Sequence, residues 1–577
     1  MSVIDEVRRT IDARPDHVAI QTPEAMLSYG DVGRLADRLA DLLESGVPPG
    51  GFVGVEGTRR AGSVVGMLAA LWAGRPFVTL DPRDNAASNR AKVSALAVDR
   101  WLTSVAGPDV VDLSSVPPEW RSTGPAAPPP RELLKGGAAD LGYAIYTSGS
   151  TGEPKCVLVP AAPLVPVIAD HVRRLEVGPD SRTLQFARLT FDGCITEILW
   201  TLTAGARLVV LDESWLAPGP VLAATLEHFG ITHLKTTPYA LTATRPTSGM
   251  VLRHVVNGGG TCRPAVVAAW SAVATFHNAY GTTETTICNL LSDGLTPAAC
   301  RDGVPLGEVV GDCTVALAPI GRGAAEGDAD LERGELVVTG RSVAAGYLTA
   351  EGLAPFQDVA GRAAYHTGDV VERRGGALYF VERVDRQVKV RGFRIDPGEV
   401  EAAACRLGTV TEAVVTAESH DSDGTAEALI CYYLGDADPR DLRRHLVAVL
   451  DPYKVPSVLI RLDRLPYTPN GKVDRDALRA GRATGPTAES RPAEIQPAEM
   501  GGAGKAERQV LDVVRRLTGF PDVSLEDNFF DIGGDSASTV VLVEALKRLG
   551  WTGAGVRDVL RADTLGELVA RVPVPEG

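Results

Sequence analysis

The sequence has no uncharged apolar run of roughly 18 residues or more, the length typical of a membrane-spanning helix. No charged and then apolar leader follows Met1. We therefore predict a protein that neither spans a membrane nor is secreted. The eight cysteines are scattered, without a CxxC pair or the spacing of a zinc site. They are expected to be reduced, which favours a cytoplasmic location.

Basic tracts are also missing, and the formal net charge is −15. Without such a tract to neutralise phosphates, we do not expect a nucleic-acid partner. The acidity by itself indicates only solubility. The length of 577 residues favours several domains over one core.

The chain does contain a stretch rich in glycine and hydroxyl residues, directly after a β-prone apolar segment. Its residues are Thr147, Ser148, Gly149, Ser150, Thr151 and Gly152, followed by Lys155. Glycines let backbone N–H groups approach an anion, and the lysine adds a positive charge suited to polyphosphate. The Walker A pattern is absent. Taken alone, the stretch fits either a phosphate-binding loop or an ordinary surface loop.

Short apolar segments alternate with helical patterns over much of the chain. Segments 52–55 and 76–80 are predicted strands on either side of a helix at 64–72, and 207–211 and 251–256 are further predicted strands. Strands separated by helices indicate an α/β sheet.

The last hundred residues have a different composition. Residues 481–503 are dense in alanine, proline, glycine and glutamate, which is typical of a linker. Three helical patterns follow, enough for a small bundle. Gly533-Gly-Asp-Ser536 precedes the second of them.

Four further segments complete the pattern: 278–287, 365–369, 383–392 and 469–474. In this order they resemble the core motifs of nonribosomal peptide synthetase adenylation domains. Those domains belong to the adenylate-forming superfamily, which includes acyl-CoA ligases and luciferases. The resemblance covers about residues 10–480. Gly-Gly-Asp-Ser resembles the attachment motif of a peptidyl carrier protein.

The resemblance implies a fold class and a domain order. An α/β adenylate-forming core is expected over 1–384, and a small mobile α+β C-terminal subdomain over 385–480. A linker at 481–503 then leads to a small all-α carrier bundle at 504–577.

It also implies a reaction in two halves, with ATP and Mg²⁺ as cofactors. A carboxylate attacks the α-phosphate of ATP, and a thiol then displaces AMP to leave a thioester. Chemistry at phosphorus of this kind depends on positioning and on charge neutralisation. Lys472 is expected to catalyse the first half-reaction by bridging the attacking carboxylate and the α-phosphate. Asp385 is the expected hinge between the two halves.

The nucleotide site follows from the same resemblance. The stretch from Thr147 to Lys155 is expected to hold the β- and γ-phosphates. Glu284 is the expected Mg²⁺ ligand, and Asp369 should bind both ribose hydroxyls. The remaining expected ATP-binding residues are Asn278, Tyr280 (stacked on adenine), Gly281, Thr283 and Arg383.

The chain departs from the family pattern at a few positions. Thr282 replaces a usual proline, Glu382 and Cys156 replace usual glycines, and Glu153 stands where lysine is common. None of these removes a charged group that the chemistry requires, so we expect an active enzyme, with Glu382 bearing on hinge geometry.

Asp192 matches the family position that pairs with a substrate α-amino group, which implies an α-amino acid; as an isolated residue it would fit a helix N-cap equally well. The expected pocket residues are Asp192, Gly193, Thr196, Lys235, Val256, Gly258, Ala279, Ile287 and Cys288. An enclosed lysine needs an anionic partner. A carboxylate on the substrate side chain would supply it. The pocket pattern resembles family pockets for aspartate, and less closely those for asparagine, and the small residues Gly193 and Ala279 leave room for a β-methyl or β-hydroxyl group. Activation of another small amino acid is an alternative within the same reaction. The alternative is that Lys235 faces solvent or pairs with a protein carboxylate.

Ser536 is expected to carry 4'-phosphopantetheine, attached by a separate phosphopantetheinyl transferase. The chain would then be a loading module for natural-product or antibiotic biosynthesis. It would serve a downstream condensation or tailoring enzyme, with an MbtH-like protein as a possible partner. One alternative is an acyl-CoA or aryl-acid ligase, which Asp192 argues against. The other is a non-catalytic scaffold, which Lys472 argues against.

Overall fold

The protein is described from a computed structural model, residue by residue where placement is defined. The described residues are 2–104, 111–121, 141–147, 155–320, 331–357, 361–384, 387–390, 393–418, 428–466, 473, 475, 477–478, 505–518, 523–529, 532, 534, 536–551, 553–555, 558–559, 562 and 564–572. Ser148–Gly152, Asp385 and Lys472 lie outside them, and for Ser536 only the backbone is described.

The chain divides into two compact units. The first comprises residues 1–149 and 153–394, and the second comprises 150–152 and 395–577. The division after Arg394 lies ten residues beyond the boundary predicted from the sequence, which stays a prediction. Within the described ranges, no helix is long and apolar enough to cross a bilayer.

A nine-stranded sheet forms the centre of the first unit. In spatial order its strands are Glu308–Val309, Leu290–Leu291, Thr275–Tyr280, His254–Asn257, His233–Thr236, Arg182–Gln185, Arg207–Val210, Val18–Gln21 and Met26–Ser28. The six from Thr275–Tyr280 to Val18–Gln21 are parallel, and the outer pairings are antiparallel. Their apolar side chains are buried, as expected for parallel strands covered on both faces. The strand predicted at 251–256 starts three residues later, at His254.

A second sheet of eight strands carries the ends of the predicted phosphate loop. Its strands, in spatial order, are Gly352–Pro355, Gly346–Thr349, Lys155–Pro160, Leu141–Thr147, Phe77–Leu80, Val53–Glu56, Arg100–Ser104 and Val111–Ser115. Leu141–Thr147 and Lys155–Pro160 pair antiparallel, with Thr147 opposite Lys155. The loop between them is therefore closed at its base by a strand pair.

The helices of the first unit begin where the sequence supplies caps. Ser2 and Ser28 each form a capping box with an aspartate three residues later, which satisfies exposed N–H groups. The helices are Val3–Ala13, Tyr29–Gly46, Ala61–Trp72, Ala86–Ala95, Leu164–Arg174, Gly193–Thr203, Pro220–His228, Pro238–Ala243 and Pro264–Trp270. Short 3-10 turns lie at Pro118–Trp120, Glu213–Trp215, Thr283–Thr285 and Pro297–Cys300.

A four-stranded antiparallel sheet completes this unit. Its strands are Cys313–Ala318, Arg333–Gly340, Ala364–Arg374 and Ala377–Arg383. Two short strands, Val388–Val390 and Phe393–Ile395, follow where the first unit ends.

The second unit contains an α+β part. Strands Val410–Glu418, Ala428–Gly435 and Val458–Arg461 form its sheet, with helices Pro397–Cys405 and Pro439–Val449 and a 3-10 turn at Pro452–Lys454. Lys454 and Glu399 form a buried ion pair at 2.6 Å in this part.

The C-terminal bundle, predicted from the sequence to be a carrier domain, has its own apolar core. Its described helices are Lys505–Thr518, Ser536–Arg548 and Leu565–Arg571. Val514, Leu542, Leu546 and Trp551 are fully buried within it. The helix starts at Ser536 itself, so the backbone places this serine at a helix N-terminus.

Candidate active site

The strand ends of the nine-stranded sheet bring most predicted pocket residues together. Lys235, Val256 and Ala279 lie near the carboxyl ends of three adjacent parallel strands, and Lys235 pairs in register with Val256. Ligands in open α/β sheets bind outside these ends. Val256, Ala279, Ile287 and Cys288 also share one buried apolar cluster.

Lys235 is enclosed on this sheet. The residue is 9% exposed, and its Nζ donates to Thr196 Oγ1 at 2.6 Å and to the Gly193 carbonyl at 3.4 Å. Among the described residues, no carboxylate oxygen lies within 4.0 Å of this Nζ. Of the alternatives left open by the sequence, neither a solvent-facing lysine nor a close protein ion pair fits this geometry.

Glu197 is a buried carboxyl that sequence reasoning did not single out. Its oxygens accept hydrogen bonds from the backbone N–H groups of Phe186 and Ala187. Burial raises the pKa of Glu197 to about 7, although the positive charge of Lys235 opposes the shift. The signal was a lone glutamate within the otherwise uncharged helix Gly193–Thr203.

Asp192 immediately precedes that helix, but its side chain makes no capping hydrogen bond. Burial raises the pKa of Asp192, against the effect of a hydrogen bond from the Thr283 side chain. Its Oδ2 is buried and has no hydrogen-bond partner in the described part of the chain. One carboxylate oxygen is therefore free to accept from a ligand.

The predicted nucleotide residues form a second group in the same unit. Tyr280 donates its hydroxyl to Asp369 Oδ2 at 2.6 Å, and Arg383 forms an ion pair with the same carboxylate. The ATP contact predicted for Asn278 stays a prediction, and its side-chain amide already has partners within the fold. Its amide accepts from Asn257 at 2.9 Å and donates to the Pro305 carbonyl at 2.9 Å, so it joins neighbouring segments.

Glu284 is fully buried at the end of this group. Tyr347 donates to it at 2.9 Å, and Arg394 Nη1 lies 3.1 and 3.0 Å from its two oxygens. Burial alone would raise the pKa of Glu284, but the Arg394 guanidinium outweighs it, and the pKa lies below the ordinary value. Neither Arg394 nor Tyr347 was predicted from the sequence, although Arg394 directly continues the 383–392 motif.

The base of the phosphate loop contributes two described residues. Thr147 Oγ1 is buried without a hydrogen-bond partner among the residues that the structure describes, and Lys155 Nζ lies 5.1 Å from the centre of the Tyr347 ring. The loop itself, Ser148–Gly152, lies outside the described residues. Its role stays a prediction.

Three of the departures from the family pattern lie in the described part of the chain, whereas Glu153 lies outside it. Glu382 is on the surface, where it pairs with Arg333 at 2.9 Å, and Cys156 is buried within a strand. Thr282 bonds with Thr285, hydroxyl to hydroxyl, at 2.9 Å.

The backbone from Gly281 to Cys288 is tightly folded. Thr286 and Ile287 both have positive φ, at 59° and 72°, which is uncommon for β-branched residues. The Thr286 hydroxyl is fixed by a 2.7 Å hydrogen bond to the Ser342 carbonyl. This turn directs Ile287 and Cys288 to the pocket, and burial raises the pKa of Cys288 to about 12, so its thiol stays neutral.

Gly281 makes that turn possible, because a Cβ there would lie 2.3 Å from the Ile287 carbonyl oxygen and 2.6 Å from Cys288 Cα. We expect Gly281→Ala to destabilise the protein by about 1–3 kcal/mol, as in overpacking, and to weaken both ATP and amino-acid binding. Thermal unfolding and ATP–pyrophosphate exchange measure the two effects. Gly178→Ala is the matched control, since a Cβ there meets nothing within 4 Å. Equal behaviour of the two variants would contradict the prediction.

Family profiles and relatives of known function match the sequence over almost its whole length. A family profile described as AMP-binding enzyme matches residues 7–348, AMP-binding enzyme C-terminal domain matches 399–472, and phosphopantetheine attachment site matches 508–572. The chain is 34% identical to Novobiocin biosynthesis protein H of Streptomyces niveus, over 98% of this chain and 95% of that protein. It is 31% identical to Bacitracin synthase 3 of Bacillus licheniformis over 93% of its length, but spans only 8% of that protein.

A solved structure has the same fold. Holo-PA1221, described as a nonribosomal peptide synthetase protein containing adenylation and PCP domains, has a TM-score of 0.75 at 24% identity. The match covers 98% of this chain and 96% of that one.

Together, the fold and these matches define an adenylate-forming enzyme fused to a carrier domain. The chain belongs to the AMP-binding enzyme family. It is an ATP-using ligase of the nonribosomal peptide synthetase type with a phosphopantetheine attachment domain. The predicted family, fold class and enzyme class are confirmed, and the carrier domain implies an amino acid substrate and a phosphopantetheinyl transferase.

Proposed function

We propose that this ligase activates aspartate or a β-substituted aspartate as its aminoacyl adenylate. The activated acid would then pass to the phosphopantetheine thiol of the same chain, for nonribosomal peptide or related biosynthesis. Two side chains together support the substrate class. They are the enclosed Lys235 and the buried Asp192, whose Oδ2 has no hydrogen-bond partner in the described part of the chain.

Asp192 supports the α-amino end of such a substrate. Its buried Oδ2 lacks a partner among the described residues, and a buried carboxylate is stable only beside a positive or donating group. A substrate ammonium supplies both a charge and N–H donors. This favours an amino acid over an acyl or aryl acid.

Lys235 supports an acidic side chain. Its two hydrogen-bond partners, Thr196 and the Gly193 carbonyl, are both neutral. Glu197 is not a close counter-charge, because within the described part of the chain no carboxylate oxygen lies within 4.0 Å of Lys235 Nζ, and the Glu197 oxygens accept from the backbone N–H groups of Phe186 and Ala187. A substrate carboxylate would compensate the ammonium directly.

Glycines on two sides keep the ammonium accessible. A Cβ at Gly193 would lie 3.8 Å from Lys235 Nζ, and a Cβ at Gly258 would lie 3.5 Å from its Cε. The absence of both side chains favours close approach of a carboxylate and leaves room for a β-methyl or β-hydroxyl group.

We propose the remaining residue roles from the motifs that this chain shares with its family. Tyr280 would stack on adenine, Asp369 would bind the ribose hydroxyls, and Lys472 would stabilise charge at the α-phosphate. Asp385 would serve as the hinge, and Ser536 as the attachment point of the phosphopantetheine arm. A helix N-terminus at Ser536 suits a phosphodiester, because its free N–H groups favour an anion.

The fit of Glu284 to Mg²⁺ is incomplete in this arrangement. An ionised carboxylate is the ligand type that Mg²⁺ prefers, and the ion would neutralise phosphate charge on ATP. Both oxygens of Glu284 are, however, engaged by Arg394. No group of three His, Cys, Asp or Glu side chains that could hold a metal occurs in the described part of the chain.

Amino-acid-dependent ATP–pyrophosphate exchange tests the substrate class. The panel contains aspartate, β-methyl- and β-hydroxyaspartate, asparagine, glutamate and several neutral amino acids, with and without an MbtH-like protein. We expect preference for an aspartate-type acid. Ser536→Ala is the control, which should retain exchange and lose thioester loading. Activity confined to neutral or aromatic amino acids would overturn the substrate class and leave the ligase assignment standing.

A further inference from the structure

The carboxylate proposed as the Mg²⁺ ligand already has a cation. Arg394 places one nitrogen, Nη1, within 3.1 Å of both Glu284 oxygens, and the glutamate is fully buried. The Arg394 side chain is itself largely enclosed, at 19% exposure. Mg²⁺ coordinates carboxylate oxygen at about 2.0–2.1 Å. An ion at that distance from Glu284 would lie close to the positive guanidinium of Arg394 and would be repelled by it.

The same segment occupies the second predicted nucleotide-binding carboxylate. Arg383 pairs with Asp369, the expected ribose ligand. Gln387 connects the two arginines, because its Oε1 accepts from Arg394 Nε at 2.6 Å and from Arg383 Nη2 at 3.2 Å. One continuous chain of hydrogen bonds therefore joins Asp369 to Glu284.

We propose that Arg394 is a built-in counter-cation of Glu284 that Mg²⁺ must displace before it can bind. The proposal rests on the proposed role of Glu284 as the metal ligand. A buried carboxylate without a cation is strongly disfavoured, so the guanidinium stabilises Glu284 whenever the metal is absent. Displacement of Arg394 also breaks its bond to Gln387, which links metal binding to the arginine that holds Asp369.

The arrangement lowers the apparent affinity for free Mg²⁺. If the protein binds metal only in the fraction of molecules in which Arg394 has left Glu284, the apparent dissociation constant rises by the inverse of that fraction. When Mg²⁺ arrives bound to ATP, the nucleotide makes additional contacts with the protein, and these favour displacement of Arg394 from Glu284. Glu284 would then discriminate between free Mg²⁺ and the metal–nucleotide complex.

Thermal unfolding with Mg²⁺ alone, without nucleotide, tests this in the full-length chain. We expect the melting temperature of the unmodified protein to respond little to Mg²⁺, because Arg394 occupies the site. Arg394→Gln leaves the buried carboxylate uncompensated, so its melting temperature in EDTA falls and Mg²⁺ restores part of the loss. The apparent dissociation constant for Mg²⁺ obtained from this titration should be roughly tenfold or more lower in Arg394→Gln than in the unmodified protein. The double variant Glu284→Gln, Arg394→Gln should lose the Mg²⁺ response.

Arg333→Gln is the matched control, since it removes an arginine from an exposed ion pair with Glu382. It should resemble the unmodified protein in EDTA and in Mg²⁺. Arg394→Lys keeps the charge with fewer donors and should give an intermediate Mg²⁺ response, which covers the case in which Arg394→Gln does not fold. If the melting temperature of Arg394→Gln responds to Mg²⁺ as that of the unmodified protein does, the proposal that Arg394 is a counter-cation is wrong. Where Arg394→Gln fails to fold, the same outcome in Arg394→Lys has the same meaning.

A further comparison separates this proposal from the one on which it rests. If Glu284→Gln abolishes metal-dependent pyrophosphate exchange while the Arg394 variants show no gain in Mg²⁺ response, only the counter-cation is wrong. If Glu284→Gln leaves the metal dependence of exchange intact, the metal ligand itself is wrongly assigned, and both proposals fall.

Discussion

Asp192→Asn should make the protein more stable at neutral pH and nearly inactive in amino-acid-dependent pyrophosphate exchange. The gain in stability follows from the buried Oδ2, which has no hydrogen-bond partner among the described residues, and from the raised pKa of this carboxyl. The loss of activity follows because an amide cannot neutralise a substrate ammonium. Removing one partner of such a buried pair weakens binding by about 3–5 kcal/mol, or roughly 10²–10⁴-fold. Thermal unfolding and exchange measure the two effects.

The pH dependence of the stability gain has a definite sign. Because burial raises the folded-state pKa of Asp192 above its unfolded value near 3.8, the folded state binds the proton more tightly. The unmodified protein therefore loses stability as pH rises from that unfolded value through the folded one. Asparagine does not titrate, so the stability difference between the variant and the unmodified protein should shrink as pH falls toward the unfolded pKa. A gain that is independent of pH would contradict this origin.

Asp81→Asn is the matched control, the same substitution at a buried but compensated carboxylate. Arg83 at 2.8 Å and Arg188 at 2.9 Å lower the pKa of Asp81 from 3.8 to about 2, against the effect of burial. This contributes about 2 kcal/mol of stability above the unfolded pKa, which is lost as pH falls toward 2. Asp81→Asn should therefore destabilise the protein at neutral pH, opposite in sign to Asp192→Asn.

The contrast between these two aspartates shows what the sequence could and could not predict. The motif register identified Asp192, Asp369 and Glu284 as candidate ligands, because each lies in a segment with a local pattern. Whether a carboxylate is paired depends on residues far away in the chain. Arg188 is 107 residues from Asp81, and Arg394 is 110 residues from Glu284. No local pattern announces such partners.

The fold was easier to predict than the side-chain arrangement for the same reason. Strands and helices follow from local apolar segments and their lengths, as in helix Ala61–Trp72 and strand Phe77–Leu80. The nucleotide contact of Asn278 stays a prediction, but the partners of its amide, Asn257 and Pro305, could not be predicted, because only the folded chain brings them near. Lys235 is an intermediate case, since its place in an enclosed pocket was predicted, but whether a protein carboxylate would pair with it was left open.

Lys235→Met should lower kcat/KM for aspartate by about 10²–10³-fold and raise that for apolar amino acids of similar size. Methionine keeps much of the length of the lysine side chain while removing its charge. The variant no longer offers an ammonium to a substrate carboxylate, and a neutral substrate no longer strands a buried charge. Exchange kinetics across the amino-acid panel measure the change, and the informative quantity is the ratio between aspartate and its neutral competitor.

A second variant separates the charge of Lys235 from its position. Thr196→Val removes the hydroxyl that accepts from Nζ at 2.6 Å but keeps the ammonium, so we expect a smaller loss for aspartate, about tenfold, with the acidic preference retained. Lys235→Met should instead invert the preference. If Lys235→Met retains the acidic preference, the ammonium does not bind the substrate side chain. In that case the selectivity would come from pocket shape at Gly193 and Gly258. Gly193→Ala would then change the aspartate-to-neutral ratio more than Lys235→Met does, which is the opposite of the order expected from charge pairing.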